Sequence, residues 1–356
     1  MSQQFTLRSH NSSITFIYPS PTSSLHLYTA DSTGLIIEWD LITRRPVITW
    51  QAHNDTILSM STIHNHLLTH SRDNTIKIWN NTDCIMEIPC NSLNFSNVVV
   101  VHDEILITPA SINSNNLDVY KITSDWQLTR LISDINVYQL VEKGIQFEEI
   151  GSRNDYGIIM KIHLVDNIIY VGFESGDIVG LELILPKPIV KENSNIDKLI
   201  INQSPKLIVK YHNSIHVPNP IISMSTFQDI LVSGSTTNKI VIHKHPVEII
   251  KVTHSGVQSI VNYKNENLII GFWNGEIRYD ENVIKRDVPM IQNNDNDDRS
   301  KSIKKLTFMT LLVPQKVEST TTGKNKYSQL IRGKKILTTD TLLVGYEDGS
   351  IVAYKV

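Results

Sequence analysis

The side chains of His53, Ser71 and Asp73 have the types of a base, a nucleophile and an orienting acid. A serine nucleophile also needs an oxyanion hole and usually a sharp elbow. The chain holds no Gly-x-Ser-x-Gly turn and offers no donor pair for the hole, so no catalytic residue is expected. Of thirteen histidines, His64, His66 and His70 crowd one stretch. His64 and His66 share a face at strand periodicity, but no third ligand or carboxylate follows nearby, and a closed zinc set is not expected. Glycines 172, 176, 234, 271, 275, 345 and 349 punctuate strands, and none opens a strand–GxxxxGK–helix phosphate cradle. Lys301, Lys304, Lys305 and the basic run from Lys324 to Lys335 are offset by Asp295, Asp297 and Asp298, which reads as solvated loop. Neither a cofactor nor a metal is expected.

The same His, Ser and Asp have a structural reading. Leu67-Leu68-Thr69-His70-Ser71-Arg72-Asp73-Asn74-Thr75-Ile76-Lys77-Ile78-Trp79 reads as a strand, a polar turn and a strand ending on an aromatic. Trp79 lies 26 positions after His53. Asp73 can accept from the His53 ring, and Thr69 or Ser71 can bridge to the Trp79 indole N–H, satisfying polar groups that burial would otherwise leave unpaired. That is the spacing of a WD40 repeat. Forty residues earlier, Tyr28 to Asp40 repeats the pattern with Gly34 in the turn. Trp39-Asp40 is there the WD dipeptide, and His10 opens the copy as His53 opens the next.

The elements that must position these residues recur along the chain. Apolar pairs, a turn and a terminal anchor return around Leu181, His243, Tyr279 and Tyr354, and in degenerate form at Tyr120. With Trp39 and Trp79 these are seven anchors, spaced 40, 41, 61, 62, 36 and 75 residues apart. The expected fold is all-β, a seven-bladed WD40 β-propeller formed by residues 1–356 as one domain. Residues 4–9 are a strand candidate before the first complete hairpin, and nothing after Tyr354 supplies an outermost strand for the last blade. The N-terminal strand is therefore expected to close the ring and hide its edges, bringing the two ends of the chain together. Val47 to Trp50 is the expected outer strand of the first blade. Pro109 and the polar run 111–116 loosen the third, residues 124–163 read as strand-like, and 144–157 as containing a loop. Surface insertions are expected at 184–220, 291–305 and 314–335, the first retaining a possible strand at Leu207-Ile208-Val209.

Composition sets outer bounds. The chain has 356 residues, 40% of them hydrophobic, and a formal charge of −3, so it supports a packed core and carries no general basic field for nucleic acid. Two cysteines, Cys84 and Cys90, cannot form a disulfide framework. No signal peptide and no run of membrane-spanning length is read, which implies cytosol or nucleus.

Several segments closely resemble the fungal ASTRA-associated protein 1 family. These are Phe5 to His10, Asp31 to Leu41, Arg44-Arg45-Pro46 with Trp50-Gln51-Ala52-His53, Leu67 to Asn74 and Gly271-Phe272-Trp273-Asn274-Gly275. The likeness spans the chain and is weakest between about residues 85 and 160. Ser9-His10 departs from the Gly-His pair usual in such repeats. The resemblance implies a non-catalytic subunit of a nuclear assembly linked to chromatin remodelling and to maturation of phosphatidylinositol-3-kinase-related kinases. Its implied partners are co-chaperone subunits and large kinases, without direct nucleic acid or membrane contact. The competing readings are a recognition module for a ubiquitin ligase or histone tails, and a propeller hydrolase.

Overall fold

Alternation of apolar and polar side chains sets the strands. In Thr75–Asn80, Ile76 and Ile78 are fully buried while Thr75 and Lys77 are half-buried, as period-2 geometry requires of a strand packed on one face. A computed structural model describes residues 1–144, 155–186, 204–286, 304–314 and 339–356, apart from Thr22, Ser24, Ser92 and Asn94. These residues form seven four-stranded antiparallel sheets, each a meander, and the fold is a seven-bladed β-propeller.

Blade one comprises Ile14–Pro19, His26–Asp31, Leu35–Asp40 and Arg45–Gln51. Blade two comprises Ile57–Ile63, His66–Ser71, Thr75–Asn80 and Asp83–Pro89. Val99–Val101, Ile105–Pro109, Asn116–Ile122 and Leu128–Asn136 make blade three. Ile159–Val165, Ile168–Phe173, Ile178–Ile184 and Lys206–Asn213 make blade four. Blade five runs through Ile221–Phe227, Ile230–Ser235, Lys239–Ile242 and Glu248–Lys251, and blade six through Val257–Tyr263, Asn267–Phe272, Ile277–Tyr279 and Asn282–Ile284. Blade seven takes Leu306–Leu312, Thr341–Tyr346 and Ser350–Lys355 from late in the sequence and Ser2–Arg8 from its start. Ser2 pairs with Lys355 and Arg8 with Ser350, so the expected closure by the N-terminal strand is observed. Phe5 and Leu7 of that strand are buried, which hides an edge that would otherwise be open to pairing.

The chain divides into two compact units, Met1–Ser92 with Ile222–Val356, and Leu93–Ile221. In the first, blades meet through small residues. A Cβ on Gly345 would lie 2.6 Å from the Ile14 side chain of blade one, so only glycine permits that approach. In the second, the core joins Ile107, Val119, Ile162, Val171 and Phe173.

Three features differ from the sequence reading. Val137–Gly144 is a helix rather than part of a strand-like run. Asn136 caps it by accepting from the Gln139 N–H, and Val137 and Val141, one turn apart, bury the same face. Tyr279 pairs with Ile269, whereas Tyr354, Trp79 and Trp39 pair with Leu342, Leu67 and Leu27, twelve positions back in each case; Tyr279 thus sits one residue short of the shared anchor position. Within the span read as an insertion at 184–220, the possible strand at Leu207-Ile208-Val209 is present, but as the longer Lys206–Asn213, which is the outer strand of blade four rather than part of a surface insertion. Residues 187–203 of that insertion, all but Lys304 and Lys305 of 291–305, and 315–335 lie outside the described residues.

Candidate functional site

The connector before each of the first two blades delivers a histidine to that blade's hairpin. In blade two, Nδ1 of His53 lies 3.0 Å from Asp73 and Nε2 lies 2.6 Å from Oγ1 of Thr69. The Trp79 indole N–H donates to the same Thr69 hydroxyl at 2.8 Å. Asp73 also accepts from the Asn54 N–H and the Thr75 hydroxyl. Burial alone would raise the Asp73 carboxyl, but hydrogen bonds from His53, Thr75 and Asn54, with the adjacent His53 charge, outweigh it and hold the group well below the ordinary carboxylate range. The relay ties the connector, both hairpin strands and the turn together through buried polar atoms.

Ser71 does not bridge to Trp79, and it touches the relay only by accepting from the Asp73 backbone N–H. Its hydroxyl donates to the Asp55 carbonyl at 3.0 Å, and the bridge to Trp79 runs through Thr69 alone. With both ring nitrogens of His53 engaged elsewhere and the ring side chain fully buried, His53, Ser71 and Asp73 are not set as base and nucleophile.

Blade one builds the equivalent network from residues the sequence reading only partly named. His10 Nδ1 lies 2.8 Å from Asp31, its Nε2 lies 2.8 Å from Thr29, and Trp39 donates to Thr29 at 2.8 Å. The carboxylate is Asp31 at the end of the second strand, not Asp40 of the Trp-Asp pair. Asp40 accepts from the Ile42 N–H and the Thr43 hydroxyl and so fixes the following turn. A search for an acid in the turn finds Asp73 but passes over Asp31, two positions earlier in the aligned frame.

Blades three, four and six use other buried carboxylates, and blade seven uses the more exposed Asp348. Asp118 of blade three accepts from the Ser111 and Asp134 N–H groups, the Tyr120 hydroxyl and the Arg130 guanidinium. Burial, reinforced by Asp118, pushes the Tyr120 hydroxyl up to about 12. Asp177 of blade four accepts from His212, Ser175 and Ser214. Glu276 of blade six meets His254, Arg278 and Lys285, and Asp348 of blade seven meets Arg286. The available signal for these residues was an acid inside an apolar strand, as in Leu117-Asp118-Val119, or flanking a turn glycine, as in Gly176-Asp177 and Gly275-Glu276.

The three crowded histidines do not converge. His64 occupies a turn with φ of 47°, its carbonyl lies 2.8 Å from Nδ1 of His66, and His70 is fully buried in the strand beyond. Among the described residues no group of three or more His, Cys, Asp or Glu is placed to hold a metal ion. Cys84 is exposed and Cys90 buried, and neither forms a disulfide.

Comparison with known proteins places this architecture in a family. The chain matches the family model for ASTRA-associated protein 1 over residues 3–354. It is 58% identical to the ASTRA-associated protein 1 of Candida albicans, with all of both chains covered. It is 40% identical to that of Lodderomyces elongisporus, covering 99% of this chain and 97% of the relative. Among solved structures, the computationally designed Ika8 protein aligns over the whole of both chains at a TM-score of 0.58 with 12% identity, a likeness of fold alone. The chain belongs to the ASTRA-associated protein 1 family.

Proposed function

We propose that this chain is a non-catalytic interaction scaffold, a WD-repeat subunit of the ASTRA assembly that acts in the nucleus. Its partners in this reading are protein subunits of that complex, co-chaperones and large phosphatidylinositol-3-kinase-related kinases, with a further link to chromatin remodelling. The observation that carries the proposal is the family match across the entire propeller, from residue 3 to 354, with relatives whose name states association with ASTRA. Chemistry agrees with it. The relay acids, histidines and threonines of blades one and two are hydrogen-bonded to one another, and Ser71 to backbone, which gives them the work of fixing hairpins. A fold secured in that way is free to vary its exposed loops for binding.

Tagging the protein at its native locus and identifying co-purifying proteins from nuclear extract tests this directly. Recovery of large helical-repeat co-chaperone subunits and giant kinases is the expected result. Recovery of nucleosomes or ubiquitin-ligase cores without those subunits would replace the reading with that of a recognition module. Imaging the tagged protein outside the nucleus under all growth conditions would remove the nuclear assignment.

A further inference from the structure

Blade six gathers more basic side chains around its acid than blades one and two do around theirs. Blades one and two each set their relay carboxylate, Asp31 or Asp73, against one histidine. In blade six the Glu276 side chain, 2% exposed, meets Arg278 Nε at 2.7 Å, Lys285 Nζ at 3.0 Å and His254 Nε2 at 3.1 Å. Arg278 and Lys285 leave one positive charge in excess of Glu276. These basic side chains also face solvent, with Lys285 64% and His254 38% exposed. The carboxylate is covered from below and the cations remain reachable from outside.

Three residues before Glu276, in the same hairpin, Trp273 is 43% exposed. Its indole N–H donates to Gln258, its backbone N–H donates to the Gly256 carbonyl at 3.1 Å, and its ring lies so close to Gly256 that a Cβ there would sit 2.4 Å from Cδ2. His254, two residues before Gly256, packs edge-on against Phe272, the residue before Trp273. The ring rests on the connector that carries His254, and it shares a hairpin with Glu276 and Arg278. The ring is already held in one orientation, so covering it costs little conformational entropy, and tryptophan and arginine are the residue types that dominate interface energetics.

We propose that Trp273, His254, Arg278 and Lys285 form a docking surface for an acidic segment of a partner protein that brings an apolar side chain onto the indole. Charge complementarity selects the partner: acidic side chains satisfy the excess positive charge around Glu276, while a basic or neutral segment leaves it uncompensated. The proposal rests on the scaffold reading and assigns one of its surfaces.

The test uses the full chain and a fluorescein-labelled twelve-residue peptide alternating Asp and Glu with Leu and Phe, read by fluorescence anisotropy. A twin with Asn and Gln in place of the acids is the control. The acidic peptide is expected to bind, to lose affinity as salt rises from about 0.05 to 0.5 M, and to bind about tenfold more weakly to Trp273→Ala. Lys285→Gln, at an exposed position, should weaken it by about threefold, and Lys251→Glu on the outer strand of blade five should leave it unchanged. Equal binding of the neutral twin, or full affinity in both surface variants with thermal unfolding unchanged, overturns the proposal. If only the variant with Asp295→Asn, Asp297→Asn and Asp298→Asn binds the peptide, the occupant is this chain's own acidic run and the partner assignment is wrong. Native-locus purification separates this surface from the scaffold reading. If Lys285→Gln and Trp273→Ala recover every partner of the wild type, the surface is refuted and the scaffold stands; if the wild type recovers none, the scaffold reading itself fails.

Discussion

Blades two and three solve one problem with different chemistry. Each must fix the turn between its second and third strands while keeping buried polar groups satisfied. Blade two places its acid, Asp73, in the turn, brings His53 from the connector before the blade, and passes hydrogen bonds through Thr69 to Trp79. Blade three places its acid, Asp118, within the third strand. It draws on Arg130 from the outer strand, Tyr120 two residues on and two backbone N–H groups. In blade two the indole both packs and donates, so volume and hydrogen bonding depend on one residue. In blade three several donors share one carboxylate and the packing is carried by neighbouring aliphatics such as Leu117 and Val119, each fully buried. A single substitution should therefore cost blade two more.

The largest effect is expected for Trp79→Ala, which leaves a cavity and an unpaired Thr69–His53 end, at about 3–5 kcal/mol. Chemical denaturation with an unchanged slope would measure it, and a loss under about 1 kcal/mol would remove the indole from its assigned place. Next comes Asp118→Ala, expected to cost about 2–3 kcal/mol, since it strands two backbone N–H groups while Arg130, a third exposed, can turn to water. If Asp118→Ala proved costlier than Trp79→Ala on the same denaturation scale, the comparison would be reversed.

A smaller effect, over the range from about pH 6.5 to 5, comes from His70, which occupies in blade two the position held by Ala30 in blade one and Gly345 in blade seven. It is fully buried, with neither ring nitrogen hydrogen-bonded. Burial, aided by the neighbouring His53 charge and opposed by Asp73, pushes it down to about 3. The unfolded chain then takes up a proton that the folded chain refuses. The stability from a neutral His70 is complete above about pH 6.5 and falls by about 1.4 kcal/mol per pH unit below it, levelling near pH 3. His70→Leu should flatten denaturation midpoints between about pH 6.5 and 5 relative to the wild type. Parallel profiles would show that His70 titrates normally. Smallest of all, Asp40→Ala should cost about 0.5–1 kcal/mol, because Asp40 caps a turn outside the relay. A loss as large as that of Trp79→Ala would put it back among the relay residues.

This comparison also explains what could be read from the sequence. His53, Thr69, Asp73 and Trp79 are legible because each has a distinct chemical part and the spacing between them is set by two short strands. The Asp118 network is not, since Arg130 is brought to it by pairing between the third and fourth strands, and a lone arginine on a polar outer strand carries no mark of its partner. Asp31 and Asp40 were exchanged for a related reason. Both flank the same strand, and only the fold shows which side faces His10. The helix Val137–Gly144 was missed because its eight residues are short beside the surrounding strand-like pattern, and its cap, Asn136, is itself the last residue of a strand. Glu276 and its cations escaped because Arg278 and Lys285 look like ordinary solvated charges until strand pairing folds them over one acid.

The pairing of Ser2–Arg8 with Ser350–Lys355 has a consequence for biosynthesis. A strand made early in this sequence finds its partner only when the strand about 340 residues later has been made. At about 5–20 residues per second, roughly 20–70 s separate the two events. Throughout that interval Phe5 and Leu7, buried in the finished protein, have no partner strand to cover them. Translation itself thus sets a minimum holding time during which a sticky, unpaired β-segment must be shielded from its neighbours on the polysome.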